Sequence, residues 1–491
     1  MMRSGNSALL TNHVRERWAV TAWWVIFLML AVIPPLTLIL MDANGGRAAY
    51  DSIIYHERVI RDYALNWPDL NLKNPLTTTI PGYHVLLAAI SRFFTGDPTA
   101  LRLVNLGIGT AFLVIAALTM GRWAGARNGL LLCMPLAACS YVLGASAWLL
   151  PDNISWLLVL LCMTSILSRG PFLRTMFISG TLLLAAVAVR QVNIWMASIV
   201  AISAMMGDWP DLEKSRRNLG VRASVALVVV APSFVLVYAF ARTWGGLTPP
   251  RFQADVSGFN LATPAFLLFQ FAALGFFFLP WLWGSCMDFV RRHRVSTIVI
   301  SSATLLIASL PRTAPGEQWG RFAGWWRLLE ALPVWGGWCS IPIVLLAPLG
   351  ALLLAGSISG INARARIVVP IALVAFAAAM TCTFYSWQRY HEPFVLMTLA
   401  ILASLQPKRS ESGHRVTSRI VLIGTLTAVL SLLTYANMSA ERIDRTEPPA
   451  IFHLSEEERK AWHYDTWIQA NPNSRQSREL SEIRKLPDAK R

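Results

Sequence analysis

Apolar runs of about 20 residues recur along the chain, at 19–41, 101–121, 223–241 and 367–385 among others. That is the length a helix needs to cross the roughly 30 Å hydrocarbon core of a bilayer. A helix that is apolar on every face must be buried on every face, in protein or in lipid. Only 14% of the 491 residues are charged and 55% are hydrophobic, against roughly 25% charged in an ordinary soluble domain. The expected class is therefore all-α: a polytopic membrane protein.

The net charge of +16 would suit a nucleic-acid binder if the basic residues lined one soluble face. They lie instead in short clusters between the apolar runs, as topology signals do, so no nucleic-acid partner is expected. The six cysteines fall in or beside apolar segments without metal-site spacing, and neither a disulfide framework nor a metal site is expected. The first run follows Arg15 and Arg17, is about 23 residues long and lacks a small-x-small cleavage site before Asp42, so it reads as a retained anchor.

With the N-terminus inside, later basic clusters fall on the cytoplasmic side in turn: Arg122 and Arg127; Arg169 and Arg174; Lys214, Arg216, Arg217 and Arg222; Arg291, Arg292 and Arg294; Arg364 and Arg366; Lys408, Arg409, Arg415 and Arg419. The alternation requires that the short apolar piece 83–94 does not cross but lies at the interface. About 13 spans result, near 19–41, 101–121, 129–149, 154–168, 175–189, 194–207, 222–241, 263–289, 295–310, 338–355, 367–385, 393–406 and 419–436. They form one transmembrane domain, 1–436, followed by a polar tail, 437–491, on the outer side. The outer side also receives the long loop 42–100, the turns near Asp152, Arg190 and Arg389, and the loops 242–262 and 311–337.

In the first outer loop Tyr50, Ile53, Ile54, Val59 and Ile60 recur at helical spacing beside Asp51, His56, Glu57, Arg58, Arg61 and Asp62. This is the pattern of an amphipathic helix lying on the bilayer. A carboxylate there sits where a lipid-borne substrate meets a water-borne one, so Asp51 is a candidate general base or else a solvated surface group. His56 is likewise open between a structural and a functional role. Asp152 follows Pro151 at the head of an apolar helix, where it could cap the helix, face a cavity, or both. Arg190 and Gln191 interrupt about 30 apolar residues, and ionisable groups in such a setting are costly enough to suggest function. Arg190 suits bidentate binding of a lipid phosphate, or else it is a turn residue reaching to the interface. Arg389 poses the same alternative, with Trp387 and Tyr390 as interfacial anchors. Nucleotide-binding fingerprints and hydrolase motifs do not occur.

At these residues the chain resembles the alpha-1,2-glucosyltransferase family that adds the last glucose to the lipid-linked oligosaccharide of N-glycosylation from dolichyl-phosphate glucose. The stretch Asn74-Pro75-Leu76-Thr77-Thr78-Thr79-Ile80-Pro81-Gly82 resembles the family's W-D-P-x-I-T-T-x-P-G, and Arg190-Gln191-Val192-Asn193-Ile194 resembles its R-Q-T-N-I. Leu101-Arg102 with Asn105, and Thr383 to Arg389, are similar to weaker family patterns. Two departures stand out: Lys73-Asn74 replaces the family's W-D, and Asp51 lies one residue before the aspartate of its D-E-I-F-H, which Ser52-Ile53-Ile54-Tyr55-His56 otherwise resembles.

More widely the chain resembles the GT-C membrane glycosyltransferases, which place a catalytic acidic residue in the first outer loop and often a second in the next; Asp51 and Asp152 match those positions. The resemblance implies inverting transfer of a hexose, glucose in this family, from a polyprenyl-phosphate sugar to a lipid-linked or glycan acceptor, without a cofactor. It implies substrate-binding roles for His56, Asn74, Thr78, Thr79, Arg190, Gln191, Asn193 and Arg389. The membrane would be the cytoplasmic membrane in a bacterium or the endoplasmic reticulum in a eukaryote. The competing class is a multi-pass transporter or flippase, which would gather polar groups near the bilayer midplane on broken helices.

Overall fold

A computed structural model describes residues 5–43, 46–168, 170–206, 219–407 and 413–438. The tail from 439, and with it the expected outer location of that tail, lies outside the described residues, as do Arg169, Lys214, Arg216, Arg217, Lys408 and Arg409.

The chain opens with α1 (Gly5–Leu40). The connection expected to be the first outer loop then carries α2 (Gly46–Asp51), a π turn (Ser52–His56), α3 (Glu57–Leu65) and α4 (Gly82–Phe93). Next come α5 (Pro98–Ala124), α6 (Ala126–Ala138), α7 (Ser140–Ala147), α8 (Asp152–Leu167) and α9 (Phe172–Val189). A 3-10 turn (Gln191–Trp195) leads into α10 (Met196–Met206), followed by α11 (Leu219–Trp244), α12 (Pro250–Val256), α13 (Thr263–Gly275), α14 (Leu279–Arg292) and α15 (Arg294–Ser309). The loop after α15 holds α16 (Trp325–Glu330) and a two-stranded hairpin, β1 (Val334–Trp335) and β2 (Cys339–Ser340). Three long helices and one shorter one close the fold: α17 (Ile341–Ser359), α18 (Ala363–Thr381), α19 (Gln388–Ser404) and α20 (Gly413–Met438).

Among the described residues eight helices are long and apolar enough to cross a membrane, or nine if the bent pair α6 and α7 is one span. The chain is thus an integral, multi-pass helical membrane protein. The other expected spans appear as the shorter helices α8, α10, α15 and α19, so length and composition do not by themselves reach 13. The expected single span at 129–149 is broken by 71° at Cys139. Cys139 is extended (φ −61°, ψ 126°), and Pro135 one turn earlier removes a helical N–H. The piece 83–94 falls on the 12-residue helix α4 (Gly82–Phe93).

Helices in lipid gain little from apolar burial against one another, so they associate through close packing at small residues. A Cβ added at Gly129 would lie 2.3 Å from Gly121 N, and one at Gly350 would lie 2.0 Å from Leu268 O. Glycine is what lets α5 approach α6 and α13 approach α17. At the centre, every residue of α19 from His391 to Ser404 is buried. A helix enclosed all round is fixed on all sides, and so is its first turn, which carries Gln388, Arg389 and Tyr390.

Candidate active site at the outer face

Four separated segments meet at one end of the bundle. α8 starts at Asp152 after Pro151, and no side-chain bond caps that helix. The carboxylate instead accepts a 2.6 Å hydrogen bond from Arg190 Nη1. Arg190 can reach it because α9 ends at Val189: Arg190 is extended (φ −150°, ψ 115°), which turns its side chain out of the helix end. The pair is 11% and 10% exposed, so Arg190 is not a snorkelling group. On the other side Asp51 forms an ion pair with Arg389 from the first turn of α19. Asp51 is 5% exposed, which rules out a solvated surface carboxylate.

Tyr390, expected as an interfacial anchor, contacts both guanidinium groups. The Cζ atoms of Arg190 and Arg389 are 4.9 and 5.0 Å from its ring centroid, within range of cation–π attraction. Arg389 also stands 5.0 Å from the Trp387 ring and donates to Tyr390 Oη at 3.2 Å. The result is a chain of contacts that links Asp51, Arg389, Tyr390, Arg190 and Asp152 in one cluster of two carboxylates and two guanidinium groups.

The expected amphipathic helix of the first outer loop is interrupted at Asp51. Between α2 and α3 the chain makes a π turn, in which Glu57 N–H bonds to Ser52 O, five residues back. In an α-helix residues five apart point to faces about 140° apart, given 3.6 residues per turn; the wider π turn narrows that angle. Asp51, five residues before His56, is the strongest charge acting on it. Ser52 secures the turn: its Oγ accepts from Leu149 N at 3.0 Å and donates to Glu57 Oε1 at 3.1 Å.

Burial pushes the His56 imidazole down to about 4; Asp51 and Asp152 oppose the shift, and Arg389 and Arg190 reinforce it. His56 Nδ1 is 2.7 Å from Nε2 of His84, the third residue of α4, and the two rings stack with centroids 5.0 Å apart. His84 is fully buried and pushed well down, first by that burial and then by His56.

The two family-like motifs clamp each other. Gln191 Nε2 donates to Thr78 O at 2.8 Å and Leu247 O at 3.0 Å, while its Oε1 accepts from Ile80 N at 3.0 Å. Gly82 sits so close to α9 that a Cβ there would be 2.5 Å from Ala188 O. Thr79 Oγ1 is 3.2 Å from Thr77 Oγ1, Asn74 Oδ1 accepts from Arg251 Nε at 2.9 Å, and Asn193 Nδ2 donates to Ser155 Oγ and Ala186 O, both at 2.9 Å. The geometry thus gathers Asp51, His56, Asp152, Arg190 and Arg389 into one cluster. Gln191, Thr78, Thr79, Asn74 and Asn193, also expected to bind substrate, lie in the segments around it, where the contacts above join them to neighbouring connections.

Contacts of this kind, with those of Asn260 to Trp319 O and Phe384 O, show that every described connection expected on the outer side touches others of the set. His84 and Ser52 had no sequence signal of their own. His84 follows Pro81-Gly82-Tyr83, and its partner is 28 residues away. Among the described residues no group of three or more His, Cys, Asp and Glu is placed to share a metal ion.

No family model and no curated protein matches the chain. Some solved structures are similar in shape. ArnT from Cupriavidus metallidurans in the apo state has TM-score 0.35 and 14% identity over 79% of this chain and 78% of that one. ArnT bound to undecaprenyl phosphate gives 0.37 and 17% over 83% and 78%. The apo oligosaccharyltransferase of Archaeoglobus fulgidus gives 0.40 and 14% over 94% of this chain and 59% of that one. Likenesses this weak carry no argument, and the site is read from its own geometry.

Proposed function

We propose that this protein is a GT-C-type membrane glycosyltransferase. It moves a hexose, glucose on the motif resemblance, from a polyprenyl-phosphate sugar to an acceptor hydroxyl of a lipid-linked or other glycan, with inversion, at the non-cytoplasmic face. The observation that carries this reading is the cluster of linked contacts among Asp51, Arg389, Tyr390, Arg190 and Asp152 at helix ends, with both carboxylates buried.

In such a transfer the acceptor oxygen forms a bond to the anomeric carbon as the bond from that carbon to the phosphate oxygen breaks. The acceptor gives up a proton, and the polyprenyl phosphate leaves with added negative charge. Asp51, presented as a carboxylate by its ion pair, takes the proton. Arg190 and Arg389 stabilise the phosphate more in the transition state than in the ground state, which is the condition for accelerating the step. Asp152 aims Arg190 and helps orient the acceptor.

The transporter alternative is not favoured. Its binding groups would sit near the bilayer midplane, whereas here they stand at the first turn of α8, just past the end of α9 and at the first turn of α19. The test is purified protein with synthetic polyprenyl-phosphate [14C]glucose. Release of polyprenyl phosphate with label passing to a glycan acceptor or to water is expected. Donor left intact while the protein moves labelled lipid across liposomes would overturn the assignment.

A further inference from the structure

The proposed reaction leaves open what His56 does, and its contact with His84 supplies a constraint. A hydrogen bond between two neutral imidazoles needs one N–H and one lone pair, so the 2.7 Å contact of His56 Nδ1 with His84 Nε2 admits two arrangements. In one, His84 carries its proton on Nε2 and donates, and His56 keeps its own on Nε2. In the other, His84 carries its proton on Nδ1, and His56 donates from Nδ1.

Two considerations choose the first arrangement. His84 Nδ1 is buried without a hydrogen-bond partner; the second arrangement would put a proton there, and orphaned buried N–H groups are the rarer kind. Neutral histidine also intrinsically prefers the Nε2–H form, which both rings adopt in the first arrangement and neither in the second.

We propose that His84 is a positioning residue that holds His56 as its Nε2–H tautomer, so that His56 acts as a neutral hydrogen-bond donor to a substrate oxygen and not as the base. This deepens the transferase reading and rests on it for the substrate. It assigns proton removal to Asp51 and donation to His56. Buried within helix α4, whose start is pinned against α9 through Gly82, His84 has the rigidity such a role needs.

The test has two parts that fail separately. In [15N]histidine-labelled full-length protein in nanodiscs, the His56 signals, identified by their loss in His56→Gln, should report protonated Nε2 and unprotonated Nδ1 near pH 7. Protonated Nδ1 overturns the proposal whether or not the protein transfers sugar. In the transfer assay His84→Leu should lower kcat about 10-fold or more with donor KM nearly unchanged, and His84→Gln, whose amide N–H can replace the donor, should recover most of that loss. Equal kcat in wild type and His84→Leu overturns the positioning role. Correct tautomers in a protein without transferase activity would instead refute the proposed function.

Discussion

Arg190→Gln removes one member of a pair whose hydrogen bond is 2.6 Å long and whose side chains are 11% and 10% exposed. Breaking a buried pair on one side costs about 3–5 kcal/mol, because the remaining charge stays buried without its partner. Arg190→Gln should therefore lower the melting midpoint of the purified protein by several degrees. Adding Asp152→Asn leaves two neutral amides that can bond to each other, so most of the stability should return. Activity should behave differently. A fixed cation on a developing phosphate charge is worth about 100- to 1,000-fold in rate, or roughly 2.7–4 kcal/mol at 1.36 kcal/mol per factor of ten, and two amides cannot replace it. The double variant should recover most of the wild-type stability and still transfer sugar at least about 100-fold more slowly. Size-exclusion melting curves give the first quantity, and release of polyprenyl phosphate gives the second. If activity returned in step with stability, Arg190 would be only Asp152's partner and its role toward the phosphate would be refuted.

Asp51→Asn should reduce turnover about 100- to 10,000-fold, as loss of a general base does, while Asp62→Asn on the same loop should leave it near wild type; near-normal turnover in Asp51→Asn would eliminate the base assignment. Because His56 is held neutral when folded, with a pKa of about 4 against 6.5 for the free group, its contribution to stability is full above about pH 6.5 and is lost as pH falls through 4. Melting midpoints measured down that range should decline less steeply in His56→Gln than in wild type, and identical slopes would contradict the assignment. For topology, a cysteine replacing exposed Asp69 should react with an impermeant maleimide added outside intact cells, and one replacing exposed Arg292 only after permeabilisation; the reverse pattern would invert the charge-based orientation.

The apolar runs and basic clusters made the helical membrane class and the common face of the outer connections readable before any coordinates, because insertion is governed by local hydropathy and flanking charge. The same local rules could not show that 129–149 breaks at Cys139, or that α19 runs through the middle of the bundle, since enclosure is a property of neighbours. The candidate site was readable as a set of costly charges, Asp51, Asp152, Arg190 and Arg389, each seen singly. What stayed hidden was pairing. Asp152 meets Arg190 across 38 positions and Asp51 meets Arg389 across 338, distances over which a single sequence gives no signal. His84 was missed for the same reason. The π turn was missed because the apolar spacing from Tyr50 to Ile60 fits an ordinary amphipathic helix.

The wide separation of Asp51 from Arg389 also bears on how the protein is made. Chains enter the membrane from the N-terminus onward, so Asp51 is delivered while more than half of the helices are still to be inserted. Until α19 enters the centre of the bundle, the first outer loop has no cation from that helix to receive its carboxylate. Distance along the chain adds little to the cost of the eventual meeting, since each doubling of a loop adds only about 0.6 kcal/mol. The order of events is nevertheless fixed. Chains that end before α19 can be integrated and still lack both the central helix and the partner of Asp51, so completion of the site doubles as a report that nearly the whole polypeptide has been delivered.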